Sequence, residues 1–257
     1  METILTSRDN EGVVELILNR PEKKNAINNQ MWMELRKTLV ALESDVTAKV
    51  LVITGAGGAF CSGADLSGGE LVGGDGMARM REINDVALML HRFSKPTIAK
   101  VTGIAAGAGC NMALGCDLIV ASPQARFSEI FVKRGLSIDF GGSFLLPRLI
   151  GLHKAKELAF FGDILSAQEA FSMGLLNQLI DEDEIDSFVR DWALRLAQGP
   201  PIALSLIKSL LNDSFDSTMV GALDSEAKSQ AINFKSLDTK EAITAFVEKR
   251  SPKFQGR

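Results

Sequence analysis

The sequence predicts an α/β fold in which strands and helices alternate first and helices alone follow. Three observations predict it. Apolar runs at 13–18, 49–54 and 97–101 have strand length, and the last two are nearly continuous, as in strands buried on both faces. Between them apolar residues recur at helical spacing, first Met31, Leu35, Leu39 and Leu42, then Met80, Ile83, Ala87 and Leu90. From about Asp183 onward only helical patterns remain. That switch divides the chain into a mixed core, residues 1–195, and a helical C-terminal region, residues 196–257.

In order along the chain, Ile4–Arg8 and Val13–Leu18 are expected to pair around a turn at Asn10-Glu11-Gly12. Asn28 or Asn29 caps the first helix. Residues 55–76 are too rich in glycine for regular structure, apart from one helical turn expected at Ala64–Leu66. The strand Thr97–Val101 leads through a turn at Gly103–Gly109 into a short helix at Ala108–Leu114, and Asp117–Ala121 is the next strand. After Arg126–Ser128 and a loop, Phe140–Ile150, Ala155–Phe161 and Ala167–Ser172 have helical patterns. Leu175–Ile180 is expected as a late strand.

Composition narrows the function classes. The chain has 257 residues, 46% hydrophobic and 23% charged, a balance that supports a sizeable core. A formal net charge of -4 leaves no basic surplus for a nucleic-acid backbone, so none is expected as a partner. The three cysteines have no paired spacing, and Cys110 and Cys116 lie among small apolar residues, so they read as reduced core thiols. The opening METILTSRDN lacks a basic start and an apolar stretch, and no run approaches the ~18 apolar residues of a membrane span. No signal peptide and no membrane association are therefore expected, and the cytoplasm is the expected location.

Three segments carry candidate chemistry. In Phe60-Cys61-Ser62-Gly63-Ala64-Asp65-Leu66, small residues after a buried strand let a ligand approach the backbone, and the unpaired N–H groups of a helix start suit a developing negative charge. A surface glycine loop would read the same way. In Gly103–Asn111 a second strand meets a helix start, and the Ala108 N–H is a candidate second donor; tight helix–sheet packing is the plain alternative. Two convergent donors make an oxyanion hole, worth about 2.7–4 kcal/mol each in typical enzymes. Asp139 is flanked by apolar residues, which would raise its pKa and suit a general base, or it caps the following helix.

Other chemistries fit poorly. Neither Gly55-x-Gly57 nor Gly107-x-Gly109 completes a dinucleotide fingerprint, since Phe60 and Met112 stand where the third glycine belongs. The chain has no tyrosine to serve as a dehydrogenase acid. Its two histidines, His91 and His153, read as helix-surface and helix-start residues, far from any nucleophile elbow, and no cluster has metal-ligand spacing.

Taken together, the chain resembles the enoyl-CoA hydratase/isomerase (crotonase) family. The matching pieces are Asn19-Arg20-Pro21 with Asn25-Ala26-Ile27-Asn28, Ala59–Leu66, Lys95-Pro96, Gly103–Asp117, Phe140–Gly151 with Leu146-Pro147-Arg148, Leu165-Ser166-Ala167, Gly174-Leu175 and Lys249–Phe254. The resemblance implies a crotonase-like spiral of strand–strand–helix units with a C-terminal helical trimerisation region, assembled as a trimer or a dimer of trimers. It implies an acyl-CoA substrate, no separate cofactor, and Ala64 and Ala108 as the oxyanion-hole donors. Lys24, Ala26, Asp65 and Leu66 would line the coenzyme A channel, with Phe254 reaching a neighbouring subunit's ligand. Residues 67–76 would shape the acyl pocket.

The same resemblance marks a departure. Hydratases of the family carry glutamates where Asn111 and Phe131 stand here. An amide and a phenyl ring cannot split water across a double bond. Asn111, Phe131 and Asp139 together look like the ring-epoxide isomerases and single-acid enoyl-CoA isomerases of the family. Isomerisation with Asp139 as the base is therefore expected, with hydration or acyl-CoA binding alone as the alternatives. Glu129 is the nearest spare carboxylate for hydration.

Overall fold

The computed structural model describes residues 2–67 and 75–257. The elements are β1 (Ile4–Arg8), β2 (Val13–Leu18), α1 (Asn29–Ser44), β3 (Val50–Gly55), α2 (Gly76–His91), β4 (Thr97–Val101), β5 (Ile104–Ala106), α3 (Ala108–Leu114), β6 (Leu118–Ala121) and β7 (Arg126–Ser128). There follow α4 (Gly142–Ile150), α5 (Leu152–Phe161), β8 (Leu165–Ser166), α6 (Ala167–Ser172), β9 (Gln178–Leu179), α7 (Ile185–Ala197), α8 (Pro201–Asn212), α9 (Met219–Asn233) and α10 (Leu237–Glu248). The mixed-then-helical order read from the sequence holds.

The strands form two sheets. Among the described residues one has six strands in the order β1-β2-β3-β4-β6-β9, parallel apart from the β1–β2 hairpin. The other has three, β5-β7-β8, with β5 and β7 parallel. Alternation along β3 explains its unbroken apolar run. Leu51 and Ile53 enter the main core beneath α1, α2 and α3, while Val50 and Val52 face the opposite side. There α7 covers the sheet with Ile185, Val189, Ala193 and Ala197, none more than 3% exposed. A strand buried on both faces needs no polar alternation.

Several expectations change. Gly103–Gly109 is not only a turn: it contains β5, whose partner β7 lies far along the chain and is invisible to local pattern. The late strand shrinks to Gln178–Leu179, because Leu175 closes the end of α6 by bonding to Ala170 and packs with Leu176 into the core. Phe140 lies outside α4 with a positive φ of 49°, and the helix starts at Gly142. His91 is half-buried, its ring edge-on to Phe144 with centroids 6.1 Å apart, rather than on open surface. No helix among the described residues is long and apolar enough to cross a membrane.

The sheet–α7 layer makes a direct test of the core. Ile185→Ala removes a side chain that is 2% exposed and should cost about 2–5 kcal/mol in a urea unfolding titration. Val46→Ala, in the turn after α1 and 91% exposed, should fall within about 0.5 kcal/mol of the parent.

Candidate active site

Two chain corners meet at the centre of the molecule, and backbone pairing sets their geometry. Cys61 forms a parallel bridge to Ala105, taking a bond from Ala106 N–H at 2.9 Å and giving its own N–H to Ile104 at 2.9 Å. Three residues on, Ala64 bridges Ile27: Ile27 N–H bonds to Gly63 O at 2.8 Å and Asp65 N–H to Ile27 O at 2.9 Å. In that pattern the bonds to Ile27 come from the residues on either side of Ala64, so the N–H of Ala64 itself points away from Ile27. The helical turn expected at Ala64–Leu66 is therefore absent. Its place is taken by an extended segment, because pairing with Ile27 uses the main-chain groups a turn would need.

The second corner is the start of α3. Ala108 is its first residue, so its N–H has no partner within the helix. A Cβ on Gly63 would lie 3.7 Å from Ala108 N and 2.9 Å from Ala106 O, which places the two corners in contact. Gly109 makes that contact possible: a Cβ there would fall 2.4 Å from Cys61 O. Gly107, with φ 54°, turns the chain into the helix, and the Phe131 ring packs 3.6 Å from where its Cβ would be.

The segment 24–27 runs beside the first corner. Lys24 and Asn25 both have positive φ, 50° and 56°. The buried Asn25 side chain holds that shape by donating to Ala56 O and Ala59 O, each at 2.8 Å, and accepting from Arg20 N–H at 2.9 Å. Ser62 N–H bonds to Lys24 O at 3.0 Å. Asp65 is fully engaged: Oδ1 accepts from the Ser67 N–H and hydroxyl, and Oδ2 pairs with Arg20 at 2.9 Å. The Ser67 bonds first, then Arg20, hold its carboxyl down at about 2. Asp65 thus ties the first corner to 20–27, which leaves its main chain, not its carboxylate, to face a ligand. Leu66 is exposed beside it.

Asp139 precedes α4 but does not cap it. The cap position is Gly141, with no side-chain bond. The cap reading fails because the left-handed Phe140 and Gly141 separate Asp139 from the helix start. Its Oδ1 is buried with no hydrogen-bond partner, and burial pushes its pKa up to about 6. Asn111, one turn along α3 from Ala108, links the two corners to it: its amide donates to Asp139 O at 2.9 Å. Asp139 also borders a cavity of about 990 Å³ between α2, α4 and α8, whose walls include neither Ala64 nor Ala108.

The structure therefore brings Lys24, Ala26, Ala64, Asp65, Leu66 and Ala108 together, with Phe131 against Gly107 and Asn111 on α3. Asp139 is joined to this group through its main-chain bond to Asn111, while its side chain borders the separate cavity. Phe254 lies elsewhere, in a tail held to α10 by Gln255 and Gly256 N–H bonds to Asp238. The acyl-pocket role expected for 67–76 falls mainly on residues 68–74, outside the described residues. The sequence reading named Glu129 only as a spare carboxylate for hydration; it missed that Glu129 is 2% exposed and that its Oε2 accepts from the Asn111 amide at 3.3 Å. The available signal was a charge inside the apolar run 127–131. Among the described residues no group of three or more His, Cys, Asp or Glu could hold a metal ion, and all three cysteines are buried and free.

Comparison with known proteins identifies the family. The profile of the enoyl-CoA hydratase/isomerase family matches residues 8–257. The chain is 38% identical to a 1,2-epoxyphenylacetyl-CoA isomerase of Escherichia coli (strain K12) over 100% of both chains. It is 34% identical to a 2,3-dehydroadipyl-CoA hydratase of the same organism, again over 100% of both. Its structure superimposes on an enoyl-CoA hydratase from Bacillus anthracis with a TM-score of 0.93 at 30% identity, covering 99% of this chain and 100% of that one. An enoyl-CoA hydratase/isomerase from Cupriavidus metallidurans CH34 gives 0.93 at 34% identity, covering 100% and 97%. The crotonase fold expected from the sequence is thereby established, and the chain belongs to the enoyl-CoA hydratase/isomerase family.

Proposed function

We propose that the protein is an acyl-CoA isomerase that moves a double bond, or opens a ring epoxide, with Asp139 as its single base. The observation that carries this reading is the Asp139 carboxyl: partly buried, unpartnered at Oδ1 and set beside α3. In the proposed reaction the thioester oxygen lies between the N–H groups of Ala64 and Ala108. Asp139 takes a proton from the carbon next to the thioester carbonyl, and the negative charge moves onto the oxygen as an enolate. The protonated Asp139 returns the proton two carbons away, which leaves the double bond conjugated. Both N–H groups bind the enolate more strongly than the ground-state carbonyl, and that difference lowers the barrier.

The surroundings support a base rather than an acid–base pair for water. Asn111 and Phe131 transfer no proton, and Phe131 packs an apolar ring on the Gly107 corner. Similarity to an epoxyphenylacetyl-CoA isomerase points the same way. In this reading coenzyme A lies along 24–27 and 64–66, and no further cofactor takes part. The exposed apolar residues of α9 and α10, such as Val220, Phe246 and Val247, fit a homo-oligomer built through the C-terminal region, a trimer or dimer of trimers with Phe254 near a neighbour's ligand. The cytoplasm is the proposed compartment.

Two measurements test it. Asp139→Asn should lower turnover of a 3-enoyl-CoA at least about a hundredfold while acyl-CoA binding persists. The parent's kcat/KM should rise with pH through about 6, where the base ionises. Turnover surviving in Asp139→Asn removes the base; a 3-hydroxyacyl product from a 2-enoyl-CoA identifies a hydratase; binding without turnover of any enoyl or epoxide thioester identifies a binding protein. Gly109→Ala drives a Cβ into Cys61 O and separates the corners, so it should depress kcat on every thioester substrate by about tenfold or more.

A further inference from the structure

Glu129 ends β7 and sits at the entry to a short 3-10 turn, Ile130–Arg134. It is 2% exposed, and among the described residues it is in no ion pair. A carboxylate buried without a cation is strongly disfavoured, so such a group keeps its proton. Among the described residues, the titratable groups that face it are the Cys110 thiol on α3 and Asp139 ahead of α4. On the turn itself, Lys133 is turned outward and held by Asp163 at 2.9 Å.

Asn111 connects the two carboxyls. Its Nδ2 donates both to Glu129 Oε2 at 3.3 Å and to Asp139 O at 2.9 Å, and the reverse amide orientation would set Oδ1 against two acceptors. The amide is clamped from the other side by α4: a Cβ on Gly142 would fall 2.4 Å from both Nδ2 and Oδ1. Three buried oxygens of this cluster lack a hydrogen-bond partner among the described residues, namely Asn111 Oδ1, Glu129 Oε1 and Asp139 Oδ1. If both carboxyls were ionised, all three would be acceptors and two like charges would share one dry space. A proton on Glu129 supplies a donor and removes one of the charges.

We propose that Glu129 is a positioning residue, working only in its unionised form: it fixes the Asn111 amide, which fixes the main chain of Asp139. It touches no reacting atom. Ionisation of Glu129 places a second negative charge against Asp139 and loosens the clamp, so the active arrangement is neutral Glu129 with ionised Asp139. Burial, then the charge of Asp139, carry the Glu129 pKa up to about 7, just above that of the base. Glu129 is the more deeply buried of the two, 2% exposed against a half-buried Asp139, so Asp139 is the carboxyl that ionises more readily.

The inference rests on Asp139 as the base, and the experiment separates the two. With the full chain and a 3-enoyl-CoA, kcat/KM should rise through about 6 and fall through about 7. Glu129→Gln, which imitates the neutral acid, should keep the rate within about threefold at the optimum and lose the falling limb. Glu129→Ala should lower kcat about tenfold or more with KM little changed. Thermal unfolding gives a readout that needs no substrate. The folded protein holds Glu129 neutral where the unfolded chain ionises it near 4.5, so this group's contribution falls as pH rises from 4.5 to about 7 and stays low above. The Tm of Glu129→Gln relative to the parent should therefore climb over that interval. A parent profile whose falling limb survives in Glu129→Gln, or a Tm difference flat with pH, overturns the proposal. Turnover in Asp139→Asn overturns the base assignment instead and leaves the thermal result standing.

Discussion

The close approach of Gly109 to Cys61 is the contact on which the site depends. Only a residue without a side chain lets α3 begin against the Cys61 carbonyl, 2.4 Å from where a Cβ would sit. The bridge from Cys61 to Ala105 carries that contact into the small sheet, and the bridge from Ala64 to Ile27 carries it into the segment ahead of α1. Two corners distant in sequence are thus held by main-chain bonds rather than by side chains. Main-chain donors do not lose their aim through rotamer changes, which suits a site whose task is to meet a charge as it develops.

Around this backbone frame the side chains divide into those that hold and those that react. Asp65, expected from the family resemblance to line the coenzyme A channel, and Asn25 both spend their polar side-chain atoms on the frame, Asn25 on Ala56 and Ala59 and Asp65 on Ser67 and Arg20. Asp65 is driven to about 2 by those bonds and Asp139 to about 6 by burial without them, so the two aspartates differ because of their partners. A polar atom left without a partner in the interior is costly, and one is retained at Asp139 where the mixed sheet, α3 and α4 converge.

The order of elements was legible in the sequence wherever the signal was local. Helix α1 with its Asn28 cap, β4 and α3 all follow from periodicity and capping. Strand β5 was hidden because its partner β7 lies twenty residues on and a three-residue strand has no period to read. The extended form of 64–66 was hidden for the same reason, since Ile27 dictates it from outside the loop. Asp139 and Ala108 were singled out as candidates by an acid among apolar neighbours and by small residues at a strand end, and Ala64 by the family resemblance. Glu129 was not assigned a place, because spacing on the chain does not reveal that β7 ends against the face of α3 that carries Asn111.

The choice between adding water and moving a double bond turns on what stands against the amide corner. Addition needs a water molecule held by one group that takes its proton and another that gives a proton to carbon. Around Ala108 the neighbours are the Phe131 ring against Gly107 and the Asn111 amide, already committed through Nδ2 to Glu129 and Asp139. Neither polarises water. The proposed isomerisation needs no such pair, since a single carboxyl at Asp139 removes the proton and returns it. In the proposed reaction the partial burial that raises Asp139 toward 6 also makes it a better proton acceptor than an exposed aspartate, so one carboxyl can both take the proton and return it.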